Sequence, residues 1–69
     1  MRTYSAREVL VALRRAGFEQ VSQPGSHVKL RNAAGRTAIV PNHSEIVRGT
    51  MRSILRQADL TPDEFEKLL

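Results

Sequence analysis

The sequence predicts an α+β domain, a two-layer α-β-β-β-α sandwich with an antiparallel three-stranded sheet. Two stretches near the chain ends repeat apolar residues with helical spacing, and a stretch between them alternates apolar and polar residues as a strand does. Turn-forming residues separate the strand candidates at short intervals, which favours hairpins and therefore an antiparallel sheet. We take residues 1–69 as one domain, with a core over 1–59 and a short helix over 61–69.

The first helix begins after a capping box formed by Ser5 and Glu8. Apolar residues then recur on a single face, and Gly17 follows as a left-handed cap. The residues of that face are Ala6, Val9, Leu10, Leu13 and Ala16. Tyr4, before the cap, is placed to contact Val9 as a hydrophobic staple.

Three short strand candidates follow, at residues 18–23, 27–31 and 36–40. In the second candidate, Val28 and Leu30 alternate with three polar residues, so that one set faces a core and the other faces solvent. The polar set is His27, Lys29 and Arg31. We expect Ala38 and Val40 of the third strand to share the buried face, and both main helices to cover it.

A second helix is expected to begin at Thr50, whose hydroxyl would cap it. Its buried stripe consists of Met51, Ile54, Leu55 and Ala58. If the helix reaches back toward Arg48, three arginines spaced by four residues would line its outer side: Arg48, Arg52 and Arg56. Residues 61–64 form another capping box with Pro62 at the first helical position, and Leu60 and Phe65 would form its staple.

Charge is the most informative part of the composition. The net charge is +4, but ten Lys and Arg residues stand against three Glu residues over 1–58, while residues 59–69 hold one Lys against four acidic residues. A basic body with an acidic tail suggests a polyanionic partner, and a nucleic acid before a membrane surface. A solvated basic surface without such a partner is the alternative.

Several classes of protein are excluded or disfavoured by composition. The chain has no cysteine, which excludes a disulfide framework and Cys-ligated metal sites. The longest apolar run, residues 9–13, is far too short to span a membrane or to form a signal peptide, so we expect a soluble, cytoplasmic protein. No Walker, dinucleotide-binding or serine-hydrolase motif is present in the sequence.

Two histidines are the candidates for chemistry. His27 begins a strand whose open face also carries Lys29 and Arg31, and an imidazole can take or give a proton near neutral pH. RNA cleavage suits such a set, because the 2′-hydroxyl is an internal nucleophile and cations stabilise the phosphorane. A plain surface histidine is the alternative reading. His43, in a polar connection, is either a second proton-transfer group or, as we favour, a loop residue bonded to the backbone.

Several segments, in this order and spacing, resemble the HicA toxin family of bacterial toxin–antitoxin systems. They are Gly17-Phe18, Gln23-Pro24-Gly25-Ser26-His27, Val40-Pro41, His43, and Gly49 through Ala58. The Gly-Ser-His strand start together with the Gly-Thr-Met-Arg-Ser-Ile-Leu helix is specific, whereas either alone would not be. Family members often carry a basic residue where this chain has Ser22, and residues from Leu60 onward lie beyond the resemblance.

The resemblance implies a double-stranded-RNA-binding-domain-like fold and an mRNA interferase, an endoribonuclease that cleaves mRNA either free as a single strand or on the ribosome. It implies that His27 is the catalytic residue and that a HicB-type antitoxin inhibits the toxin. Combined with the basic residues, it predicts RNA contacts from Gly25, Ser26, Lys29, Arg31, Arg36 and Arg52. We expect no metal, no cofactor and no membrane partner, and products with 2′,3′-cyclic phosphate and 5′-hydroxyl ends.

Two other functions fit the same residues. A non-catalytic RNA-binding module of this fold would bind RNA without cleaving it. A protein-interaction domain would use the basic surface to bind an acidic partner.

Overall fold

The computed structural model, which describes residues 2–69, has two helices packed on one face of a three-stranded antiparallel sheet. The elements in chain order are α1 (Ala6–Arg15), β1 (Glu19–Ser22), β2 (His27–Arg31), β3 (Thr37–Pro41), α2 (Arg48–Ala58) and α3 (Pro62–Lys67). The sheet order is β1-β2-β3, so β2 is central and β3 is an edge strand that packs against α2. The predicted α+β sandwich is confirmed.

Helix α1 is fixed at both ends by the local chemistry that the sequence predicts. The Ser5 hydroxyl accepts from the Glu8 N–H at 3.2 Å, and the Glu8 carboxylate accepts from the Ser5 N–H at 3.0 Å. After the helix, Gly17 adopts a φ of +97°, which lets the chain turn into β1. Leu10, predicted in the core, is only half-buried because it lies at the margin of the core on the side facing solvent.

Helix α2 begins earlier than predicted. Its N-cap is Val47, whose side chain makes no capping hydrogen bond, so the expected cap at Thr50 is wrong and Thr50 lies within the helix. The reason is tertiary: the Ile46 N–H donates to the Tyr4 carbonyl at 2.7 Å, in an isolated antiparallel bridge. This bond fixes the backbone one residue before Val47, and the chain turns into the helix from there.

The hairpin of β2 and β3 pairs without irregularity. His27 lies opposite Pro41 and Lys29 opposite Ile39. Strand β2 has the predicted bounds, whereas β1 is shorter than predicted and contains a bulge between Gln20 and Ser22. All four residues of β1 are exposed, which agrees with its polar sequence.

One hydrophobic cluster holds the layers together. Its buried residues are Tyr4, Ala6, Val9, Ala12, Leu13, Phe18, Val28, Leu30, Ala38, Val40, Ile46, Met51, Ile54, Leu55, Ala58 and Phe65. On the apolar faces that the sequence analysis assigns to the two main helices and the sheet, every residue is buried except Leu10 and Ala16, which are half-buried. No helix within residues 2–69 is long and apolar enough to cross a membrane.

The C-terminal helix α3 packs on the rest of the domain, a role that its sequence alone does not show. Phe65 is completely buried and meets the Tyr4 ring edge to face, with 5.0 Å between the ring centroids. The Tyr4 hydroxyl donates to the Glu66 carboxylate, and Arg15 Nη1 donates to the Leu68 carbonyl at 2.8 Å. The core therefore extends past residue 59 to include a residue of α3.

Candidate functional site

An open groove of about 590 Å³ lies along the free edge of the sheet, between β3 and α2. Ile39 and Pro41 of β3 form one wall, and polar residues of α2 form the other. Those polar residues are Thr50, Ser53 and Gln57. His27, His43 and Glu45 line the same groove, so the two histidines that the sequence singles out share one site.

A tight turn over residues 24–27 places His27 at the groove. Gly25 has a φ of +63°, in the left-handed region that glycine adopts without strain. The His27 N–H donates to the Pro24 carbonyl at 3.3 Å, which closes the turn. His27 is exposed at the first position of β2. Gly25 and Ser26, predicted to contact RNA, are exposed directly beside it.

The connection after β3 brings His43 to the same place. The Asn42 N–H donates to the Ser26 carbonyl at 2.6 Å, which fastens this connection to the turn that precedes His27. The His43 carbonyl accepts from the Ala6 N–H at 2.9 Å, so the backbone of His43 supports the start of α1. His43 is exposed and is one of the residues that line the groove.

The predicted basic contacts fall on three different surfaces. Lys29 and Arg31 follow His27 on the open face of the sheet, where Lys29 is half-buried and Arg31 is exposed. Arg52 is exposed on α2 and is not among the residues that line the groove. The Arg36 guanidinium donates to the carbonyls of Gln57 and Arg56 at 3.0 and 3.1 Å, so it closes the C-terminal end of α2.

Gln57 is a groove residue that the sequence analysis missed. Its side-chain carbonyl accepts from the Ile39 N–H at 2.8 Å, and this bond occupies a donor on the exposed edge of β3. Thr50, Ser53 and Gln57 are spaced by three and four residues, so they form a polar stripe beside the apolar stripe of α2. That spacing was the available signal, but it is also typical of any solvated helix face.

The groove offers proton-transfer and hydrogen-bonding groups and no constellation of metal ligands. Within residues 2–69, no three His, Asp or Glu residues are grouped so that they could hold a metal ion. The two imidazoles can exchange protons with a ligand, and the hydroxyls and the Gln57 amide can donate hydrogen bonds to it. This combination is suited to a phosphodiester, which needs donors for its oxygens and proton transfer at its ester oxygens.

Comparison with known families identifies the group to which the chain belongs. The family model described as HicA toxin of bacterial toxin-antitoxin matches residues 6–60. The chain belongs to the HicA toxin family. A search of curated proteins found no match.

Membership of the HicA family means that the protein is the toxin of a bacterial toxin–antitoxin system and that its partner is an antitoxin. The match runs from the start of α1 to just beyond α2, and so it includes the whole groove. Helix α3 lies outside the match, although its Phe65 belongs to the same core.

Proposed function

We propose that this HicA-family toxin is an endoribonuclease that cleaves mRNA without a metal ion, with His27 as the residue that transfers a proton. The observation that carries the proposal is the position of His27, exposed at the start of β2 in a groove that runs along the sheet edge. The Gly25 turn and the bond from Asn42 to Ser26 fix the backbone around it.

The proposed reaction uses the nucleophile that RNA itself carries. The 2′-hydroxyl oxygen attacks the adjacent phosphorus and loses its proton, while the bond from phosphorus to the 5′-oxygen breaks and that oxygen gains a proton. The products are one RNA end with a 2′,3′-cyclic phosphate and one with a 5′-hydroxyl. His27, whose imidazole can act as a general base, is the acceptor of the 2′-hydroxyl proton.

The cationic residues beside His27 would hold the RNA backbone. Lys29 and Arg31 lie on the open face of the same strand, so a strand of RNA that enters the groove can pass its phosphates across them. Arg52 on α2 and the backbone around Gly25 and Ser26 are further candidate contacts. We leave Arg36 out of this surface because its guanidinium already closes α2.

The antitoxin partner is proposed to be of the HicB type and to inhibit the toxin by covering the groove. Two apolar side chains at the groove support such a contact: Ile39 is 43% exposed and Val47 is 61% exposed. Exposed apolar side chains beside polar ones are the usual composition of a protein interface core with its rim.

The proposal is tested with purified toxin, free of antitoxin, and a long unstructured RNA in EDTA. The wild type should cleave, whereas His27→Ala should lose cleavage by about 10²–10⁴-fold, the range for loss of a general acid or base. Arg7→Ala, at an exposed position on α1, is the matched control and should cleave as the wild type does. Binding of RNA without cleavage by the wild type would instead support the RNA-binding module, and cleavage by both His27 forms would remove His27 from the reaction.

A further inference from the structure

The proposed reaction needs two proton transfers, and His27 performs only one of them. One proton leaves the 2′-hydroxyl, and another must reach the departing 5′-oxygen on the opposite side of the phosphorus. A second acid–base group in the groove would allow both transfers to assist the same transition state.

His43 lies next to His27 through the register of the hairpin. The Ile39 N–H donates to Gln57 and so points away from β2, which makes Lys29 and Ile39 a non-hydrogen-bonded pair. Because antiparallel pairs alternate, His27 and Pro41 are also such a pair, with Cα atoms about 4.5 Å apart. The His43 N–H donates to the Pro41 carbonyl at 2.8 Å, in a tight turn that keeps His43 beside that pair.

The backbone on both sides of His43 is held by bonds to other elements. The Asn42 N–H donates to Ser26 at 2.6 Å, the His43 carbonyl accepts from Ala6 at 2.9 Å, and the Ile46 N–H donates to Tyr4 at 2.7 Å. A loop fastened in this way can hold an imidazole in place without reorganisation during the reaction, which is what proton transfer requires.

The charges around the two histidines differ. Glu45 shares the groove with His43, and the Thr3 hydroxyl donates to its Oε2 at 3.1 Å and so orients the carboxylate. His27, by contrast, shares its strand face with the cations Lys29 and Arg31. The two histidines therefore differ in their charged neighbours, and we assign the role of proton donor to His43, the one that shares the groove with the Glu45 carboxylate.

We propose that His43 is the second catalytic residue, which donates a proton to the departing 5′-oxygen while His27 accepts the proton of the 2′-hydroxyl. This inference rests on the proposed ribonuclease function. The bond from the 2′-oxygen to phosphorus forms as the bond from phosphorus to the 5′-oxygen breaks. After the step, His27 has gained a proton and His43 has lost one. Proton exchange with water then returns each histidine to its starting state.

The test compares two RNA oligonucleotides that differ only in the leaving atom at one site, 5′-oxygen or bridging 5′-sulfur. A thiolate leaves without being protonated, because a thiol has a pKa near 8.5, far below that of an alcohol. His43→Ala and His43→Gln should cleave the oxygen substrate about 10²–10⁴-fold more slowly than the wild type. Both should cleave the sulfur substrate within about tenfold of the wild type, whereas His27→Ala stays slow on both substrates.

Ser44→Ala, an exposed change in the same connection, is the matched control and should leave both rates unchanged. RNA affinity and the urea midpoint are measured for every variant, so that slow cleavage of the oxygen substrate is attributed to chemistry only in variants that fold and bind. If His43→Gln cleaves the oxygen substrate as the wild type does, or is equally slow on both substrates, His43 is not the proton donor. If the wild type cleaves neither substrate, the ribonuclease proposal itself fails, and this inference fails with it.

Discussion

Replacement of Phe65 by alanine measures how firmly α3 is part of the domain. The Phe65 side chain is completely buried and packs edge to face on Tyr4 at 5.0 Å, so the substitution removes a full aromatic ring from the core. Substitutions of buried Phe by Ala cost about 3–5 kcal/mol. A six-residue terminal helix can detach rather than leave a cavity, so we expect the lower end of that range, about 3 kcal/mol.

That loss is large for a chain of this size. At about 0.05–0.15 kcal/mol per residue, 69 residues correspond to a free energy of unfolding of roughly 3–10 kcal/mol. Urea unfolding followed by far-ultraviolet circular dichroism reports the change, and with a slope of about 1 kcal/mol per M the midpoint should fall by about 3 M or the protein should be largely unfolded in buffer.

The control is Leu69→Ala, at a terminal residue that is 40% exposed, and it should change the free energy of unfolding by no more than about 0.5 kcal/mol. A loss below about 1 kcal/mol for Phe65→Ala would refute the packing described here, because it lies well below the range of about 3–5 kcal/mol for removal of a buried Phe ring.

Three further sets of substitutions test the contacts of Glu8, the contacts of Arg36 and the cations of β2. The Arg2 guanidinium and the Ser5 N–H hold the pKa of Glu8 at about 2, below its ordinary value of 4.5. Ionised Glu8 therefore stabilises the folded state above about pH 4.5, and this contribution to the free energy of unfolding is lost as the pH falls towards 2. Glu8→Gln should flatten the melting temperature across that window, and an unchanged pH profile would contradict the role of the Glu8 contacts. Arg36→Met removes two hydrogen bonds from the end of α2, so it should lower the free energy of unfolding in urea titrations by about 1 kcal/mol and leave the RNA cleavage rate unchanged. Unchanged stability with slow cleavage would instead indicate that Arg36 contacts RNA. Lys29→Gln and Arg31→Gln should each weaken RNA binding, and each should reduce the slope of log affinity against log salt concentration by about 0.7 in fluorescence anisotropy titrations. Unchanged slopes would show that RNA binds at another surface.

The parts of the fold that depend on neighbouring residues are predictable from the sequence. The capping boxes of α1 and α3 and the left-handed turn at Gly17 need only residues within a few positions of one another. The bounds of β2 follow from strict alternation between two turns. In the caps and in the Gly17 turn, the hydrogen bonds that decide the structure join residues within five positions of one another.

The errors arise where a distant residue decides the local structure. Helix α2 starts at Arg48 rather than Thr50 because Tyr4, more than forty positions earlier, bonds to Ile46. Arg36 bonds to carbonyls twenty and twenty-one positions later, so its basic charge alone could not reveal that it closes α2.

The candidate site shows the same division. His27 stands out in the sequence because a Gly-Ser turn and a strand with two further cations surround it. The place of His43 beside it depends on the register of β2 against β3 and on the bond from Asn42 to Ser26. Neither can be read from the sequence, and the polar connection therefore looks like an ordinary loop until the chain is folded.

The chemical identity of the RNA ends is the most direct test of the central claim. RNA treated with the wild type and with His27→Ala in EDTA is analysed for its new termini, by labelling of 5′-hydroxyl groups and by mass spectrometry of the 3′ ends. We predict 5′-hydroxyl and 2′,3′-cyclic phosphate ends in the wild-type reaction and no new ends above background with His27→Ala. New 5′-phosphate ends, or the same new ends in both reactions, would contradict cleavage through the 2′-hydroxyl with His27 as the proton acceptor.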